Sequence, residues 1–207
     1  MVEAVGPGRL PARAPRYGRC RADACHPGAM DELVDQVDEL DRVVGVVERG
    51  EAVRRRLLHR IATTVCRDPD GRFLVHRRAE TMPRFPGQFD WMLGGAAGTG
   101  ESYEEAAARE LAEELGVRAR PRFVLKFLCR GGISPYWLGL HEVVVTGPLR
   151  PDPEEIAWHA WATESELSAF AARDSFVPDA REALARYRDL APNTPSASPS
   201  EARARRK

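Results

Sequence analysis

One stretch, Gly95 to Val117, constrains this chain more than any other: GAAGTGESYEEAAARELAEELGV. Between Ser102 and Gly116 nearly every residue is a good helix former. Ser102 and Glu105 have the S-x-x-E spacing of a capping box, which predicts where the helix starts. Gly116 follows the last apolar residue and suits a left-handed C-terminal cap. Helical periodicity puts Glu110, Glu113 and Glu114 on one side and Ala107, Leu111 and Leu115 on another.

The clustering of acids has a cost. Like charges three and four residues apart repel by about 0.2–0.5 kcal/mol per pair. They also sit near the helix C-terminus, where the dipole disfavours negative charge. A solvated acidic face is the plain reading of such a run. A hard divalent cation held by carboxylate oxygens is the reading that offsets the cost, and Mg²⁺ suits such a site.

The flanking residues favour the second reading. The stretch resembles the Nudix box, G-x5-E-x7-R-E-U-x-E-E-x-G-U with U a bulky aliphatic. Gly95, Glu101, Arg109, Glu110, Leu111, Glu113, Glu114, Gly116 and Val117 fill every fixed position. The chain is therefore similar to the Nudix hydrolases, and a looser resemblance runs from about Asp31 to Leu190.

The resemblance implies a role for each box residue. Glu110 and Glu114 would be the principal ligands of Mg²⁺, with Mn²⁺ as the alternative, and Glu113 would complete the cluster directly or through water. Glu101 would pair with Arg109, holding the loop against the helix. Gly95 would serve backbone geometry, and Leu111 and Val117 would pack into the core. A general base is also needed. Glu110 is one candidate. Glu154 and Glu155, in the loop before the final strand, are others. Arg78 is a candidate phosphate contact, set against the plain reading of a solvated or structural arginine.

Charge is unevenly distributed. Residues 1–29 carry +3 and residues 191–207 carry +3, so the middle carries −6 in a chain of net charge zero. An acidic middle fits a cation site and argues against a nucleic-acid polymer as partner, which needs a basic stripe. No apolar run approaches a membrane span. The N-terminus lacks the apolar stretch of a secretory signal. Cys66 and Cys129 sit in apolar strand-like runs and read as buried free thiols in a reducing cytoplasm. Cys20, Cys25 and His26 lack a second ligand pair at zinc spacing.

Along the chain, residues 1–29 are rich in Pro, Gly and Arg and read as disordered, with Met30 as an alternative start. Leu33 to Val47 predicts a hairpin turning at Asp38-Glu39-Leu40-Asp41. Arg49 to Leu58 reads as a helix ending in the basic cluster Arg54-Arg55-Arg56. Ile61 to Cys66 and Phe73 to His76 are strands joined by the turn Asp68-Pro69-Asp70-Gly71, with Arg77 and Arg78 just after the second. Phe89 to Leu93 is a strand leading into Gly94-Gly95, where close backbone approach and positive φ are expected. Further strands follow at Phe123 to Cys129, Tyr136 to Val145 and Ile156 to Trp161. His76, His141 and Glu142 fall within strands and read as strand residues. Thr163 and Glu166 form a second capping box, and Pro178 opens a last helix. Residues 191–207 read as a disordered basic tail.

This order predicts one domain over residues 30–190. Its class is an α/β sandwich with a mixed sheet, and the resemblance implies an α/β/α form whose box makes a loop–helix–loop motif. The implied function is metal-dependent hydrolysis of a diphosphate linkage in a small molecule, a nucleoside diphosphate joined to another group X, with nucleoside di- or triphosphates as the default substrates. Many members pair as homodimers. Two other readings stand beside it. One is a non-catalytic binding or regulatory module of the same fold. The other is an isopentenyl-diphosphate isomerase, whose branch the N-terminal hairpin, Phe85-Pro86-Gly87 and Asp90-Trp91 resemble. The isomerases use a Cys and a His soon after this Trp. Here Trp91 is followed by Met92-Leu93-Gly94-Gly95. Trp137, Tyr136 and Phe85 are candidates to stack on a base, or else core residues.

Overall fold

A computed structural model describes residues 32–190. The readings of residues 1–29, Met30, the Cys20/Cys25/His26 group and residues 191–207 lie outside the described residues. The chain opens with the expected hairpin, β1 (Leu33–Val37) and β2 (Val43–Glu48), paired antiparallel. Asp38 shapes the turn by accepting the amides of Leu40 and Arg42 through one carboxylate oxygen.

Helix α1 (Arg49–Arg55) is shorter than the sequence predicts. Arg56 takes φ 57 and caps it, and its guanidinium reaches the Ile133 carbonyl at 2.9 Å. Three consecutive arginines repel along a helix, and an external acceptor favours ending it early.

Strands β3 (Arg60–Arg67) and β4 (Phe73–Arg78) meet at Arg67 and Phe73 and then diverge. β4 runs two residues further than expected, so Arg77 and Arg78 belong to the strand rather than following it. The predicted strand from Phe89 to Leu93 is two strands, β5 (Phe89–Asp90) and β6 (Met92–Ala96). The break falls at Trp91, where Asp90 Oδ1 accepts the amides of Trp91 and Met92 and the chain turns from β5 into β6. Beyond the box helix α2 (Tyr103–Leu115) come β7 (Arg122–Cys129), β8 (Tyr136–Val144), β9 (Ile156–Ala162), α3 (Glu164–Ala171) and α4 (Pro178–Leu190). Both capping boxes form as read.

The seven-stranded sheet is mixed. β3 lies between β6, antiparallel, and β8, parallel; β7 extends it beyond β8. β4 carries β5 and β9 on its two sides. One core fills the space between this sheet and helices α3 and α4, around Trp91, Phe73 and Phe176. Trp91 is fully buried and donates Nε1–H to the Ala180 carbonyl at 2.9 Å. A second core lies under α2, where Leu111 and Leu115 meet Leu74 and Val143 and the partly buried Val117. Each of those leucines contributes roughly 1.5–3 kcal/mol by burial. Cys66 and Cys129 are buried free thiols, as read.

The hairpin is clamped to this body. Asp41, at φ 59, accepts from Arg60 Nε at 2.7 Å and from Tyr103 Oη, and pairs with Lys126. Trp137 Nε1 donates to the Asp38 carbonyl at 3.1 Å. Trp137 therefore anchors the extension.

Candidate active site

Helix α2 is positioned by its two ends. At its start Ser102 and Glu105 cap each other; at its end Gly116 takes φ 67 and returns its amide to the Ala112 carbonyl. The loop before the helix is held by Glu101, whose Oε2 accepts the Gly98 amide at 2.8 Å. Arg109 uses all five of its N–H groups. Nε and Nη2 grip Glu101 at 3.0 Å each, and Nη2 also reaches the Ala96 carbonyl at 2.9 Å. Nη1 meets Glu110 at 2.8 Å and Glu113 at 3.1 Å. The expected Glu101–Arg109 pair is thus formed and extends to the acidic cluster.

The three clustered glutamates lie on one side of α2 but occupy unlike surroundings. Glu114 is 5% exposed, Glu110 is half-buried, and the Glu113 side chain is 60% exposed. Glu114 Oε1 accepts the Gly94 amide at 2.7 Å. Burial holds its carboxyl well above the usual carboxylate range, and Glu155 and Glu110 nearby push the same way. Burial raises Glu110 to about 7, against the pull of Arg109.

Both glycines of β6 are required. Gly94 has φ 142, and a Cβ there would lie 2.1 Å from the Ala62 carbonyl oxygen. Gly95 lacks a positive φ, contrary to the sequence expectation for the pair. Its role is close approach, since a Cβ would lie 2.5 Å from Glu110 Oε1.

The two loop acids separate. Glu155 is half-buried and faces Glu114, with its own carboxyl raised first by burial. Glu154 is exposed, with its amide on Asp152 and its carbonyl accepting from Thr81. Arg78 draws down both Glu114 and Glu155, so its charge lies at the cluster; its Nε donates to the Arg84 carbonyl at 3.0 Å.

Beside Gly94 and Gly95 opens a cavity of about 110 Å³. Arg49, Arg78 and Arg84 line it, with Asp90, Tyr136 and Asp179. Tyr136 donates its hydroxyl to Asp179 at 2.6 Å. Burial raises the Asp90 carboxyl to about 6. Of the candidate aromatics, Phe85 and Tyr136 reach the cavity. The sequence reading missed Arg49, Arg84, Asp90 and Asp179. Asp90 had one readable signal, an acid inside a strand-like run where Asp is disfavoured. Arg49 and Arg84 lie far apart in sequence and carried none. The Arg54-Arg55-Arg56 cluster is exposed, with Arg55 paired to Glu51.

The donor set fits a hard divalent cation. Carboxylate oxygens from Glu110, Glu114 and Glu155 repel one another in a buried setting, and a cation would relieve that. In this conformation Arg109 ties Glu110 and Glu113, and among the described residues no three His, Cys, Asp or Glu enclose a cation-sized point.

Comparison with known proteins agrees with this geometry. The family model for the NUDIX domain matches residues 57–187. The chain belongs to the Nudix family. An uncharacterized Nudix hydrolase of Streptomyces coelicolor is 47% identical over 161 residues, covering 76% of this chain and 89% of the relative. An uncharacterized Nudix hydrolase of Pseudomonas aeruginosa is 36% identical, covering 79% and 98%. A crystal structure of a Deinococcus radiodurans protein superposes with TM-score 0.65 at 30% identity, over 75% of this chain and 98% of that one. The MutT protein from Methanosarcina mazei shares the fold at TM-score 0.54 and 19% identity, over 63% and 92%. The protein is a Nudix hydrolase, an enzyme class that hydrolyses diphosphate linkages of small molecules and generally needs a divalent metal. No helix among the described residues is long and apolar enough to cross a membrane.

Proposed function

We propose that this Nudix hydrolase cleaves the diphosphate linkage of a nucleoside diphosphate joined to a further group X, with Mg²⁺ as its cation. The observation that carries the reading is buried Glu114, held by the Gly94 amide and facing Glu110 and Glu155. Glu110 and Glu114 would hold the ion, and Glu113 would support it from the exposed side. A bound cation neutralises the anionic substrate, polarises phosphorus and lowers the pKa of water. Arg109 and Glu101 keep the helix and its loop in register, and Gly95 leaves room for Glu110.

For the general base, the geometry favours Glu155 over Glu154, because Glu155 faces Glu114 and Glu154 is exposed. Arg78 would steady the substrate's phosphates. We further propose that the chain belongs to the branch with an isomerase-like N-terminal extension. The hairpin and α1 precede the matched residues 57–187, and the isomerase Cys and His are absent after Trp91. We also propose a cytoplasmic enzyme, a homodimer, with neither nucleic acid nor membrane as partner.

The test is phosphate or pyrophosphate release with Mg²⁺ from nucleoside di- and triphosphates, nucleotide sugars, dinucleoside polyphosphates and isopentenyl diphosphate. Release that collapses in Glu114→Gln is the expected result. Mg²⁺ binding without release from any substrate would instead mean a binding module.

A further inference from the structure

The cavity beside the glutamates is richer in cations than its own acids require. Arg49 comes from α1, Arg78 from β4 and Arg84 from the loop between β4 and β5. Arg49 has a partner, Glu32, at 3.4 Å. Arg84 differs. Among the described residues its guanidinium makes no ion pair and no hydrogen bond, although it is half-buried. Burial and the neighbouring Arg49 bring it down to about 10. The loop fixes its position, because Phe85 is held at φ 50, a strained value for a bulky residue, and the Arg84 carbonyl accepts from Arg78. An unpaired, partly desolvated guanidinium is a site prepared for an anion.

Size and charge narrow the anion. A cavity of about 110 Å³ is well below the roughly 300–1,000 Å³ of a pocket for a drug-sized ligand. It is open to solvent on one side and has room for a phosphate group. A free terminal phosphate carries close to −2 at neutral pH, because its second pKa is about 6. A phosphate esterified at both ends carries one charge fewer, so three guanidiniums discriminate between them. Arg78 acts at both places, lining the cavity and drawing down Glu114 and Glu155. A chain of phosphates can therefore run from the carboxylate cluster into the cavity.

We infer that this three-arginine cavity binds the free terminal phosphate of the substrate, so that X is no larger than a phosphoryl group. Nucleoside di- and triphosphates are then preferred, and nucleotide sugars and dinucleoside polyphosphates are disfavoured. The preference rests on the hydrolase reading; the anion site itself does not.

Two measurements on the full chain test it. The first is binding of inorganic pyrophosphate by calorimetry in EDTA, with wild type, Arg84→Gln and Arg84→Lys. Arg84→Gln is expected to weaken binding about tenfold or more, with partial recovery in Arg84→Lys. Circular dichroism melting checks that each variant folds, and Arg49→Gln serves as the second variant should Arg84→Gln not fold. The second is kcat/KM for uridine diphosphate against UDP-glucose, in which the terminal phosphate is esterified. Wild type is expected to prefer the free phosphate about tenfold or more, and Arg84→Gln to shrink that ratio to within about threefold. Pyrophosphate binding unchanged by Arg84→Gln, or equal kcat/KM for the two substrates in wild type, overturns the proposal. No turnover of either, with pyrophosphate binding still dependent on Arg84, overturns the substrate preference and leaves the anion site standing.

Discussion

Gly95 and Glu110 approach so closely that a β-carbon on the glycine would lie 2.5 Å from Glu110 Oε1. The obstructing atom is the end of a flexible side chain, so Gly95→Ala is expected to fold. The carboxylate must move by about an ångström, and a displacement of that size costs on the order of 100-fold in rate. Gly94→Ala is the contrast. There the obstruction is the Ala62 backbone and φ is 142, so the variant is expected to lose soluble, cooperative folding. Thermal melts and kcat for both variants check the pair; equal melting temperatures would refute the distinction.

Glu114 is expected to trade stability for function. A buried carboxylate beside two others is costly in the absence of a cation. Glu114→Gln keeps an oxygen for the Gly94 amide and removes the charge. Its stability in EDTA at pH 8 should rise by roughly 1–3 kcal/mol, a few degrees in Tm for a domain of this size. The stabilisation of wild type by added Mg²⁺ should disappear in the same variant. Calorimetric melts with and without Mg²⁺ measure both.

Arg109 holds three carboxylate groups and a carbonyl with one planar fork. Lysine cannot reproduce that geometry. Arg109→Lys is expected to cost roughly 1–3 kcal/mol in stability through the lost charge-assisted bonds. Activity should fall about 10- to 100-fold, because the loop and Glu110 are both released. Hydrogen exchange should quicken at residues 97–101; unchanged exchange there would mean that the loop is held by its other contacts.

His59 sets an acid limit on stability. It is fully buried, its Nδ1 is 3.2 Å from the Leu57 carbonyl, and burial lowers it to about 4. The unfolded chain takes up this proton near pH 6.5 and the folded chain only near pH 4. The contribution is therefore complete above pH 6.5 and is lost as pH falls toward 4. It amounts to about 3 kcal/mol. Buried Asp90, raised to about 6, acts in the opposite direction as pH rises, so the total stability is a poor reporter. The gap in unfolding free energy between wild type and His59→Asn should narrow over this window. A gap constant from pH 7 to 4 would refute it.

The hairpin should not be separable from the body. The Asp41 side chain is 5% exposed and meets Arg60, Lys126 and Tyr103. Asp41→Ala takes the carboxylate from Lys126, leaves Arg60 with only Asp35 at 3.7 Å, and puts alanine at φ 59. A loss of roughly 3–5 kcal/mol is expected by urea unfolding. A loss near zero would mean that the extension is held by its apolar contacts alone.

The sequence determined the elements and the box. Caps at Ser102, Gly116 and Thr163 are local events, made within a few residues, so they were readable in advance. The same holds for the hairpin and for the order of strands. The Glu101–Arg109 pair was readable because a known motif fixed both positions. What escaped were features decided by contacts across the fold. One predicted strand breaks at Trp91, where Asp90 captures two amides, and Ile133 helps end α1 after Arg55. Only the tertiary structure made Glu114 buried and Glu113 exposed, brought Glu155 to the cluster and left Glu154 outside. It also gathered Arg49, Arg78 and Arg84 around one cavity. The reason is physical: helix and strand periods and capping are properties of neighbouring residues, whereas burial, and with it the cost or value of a charge, depends on which distant elements pack against it.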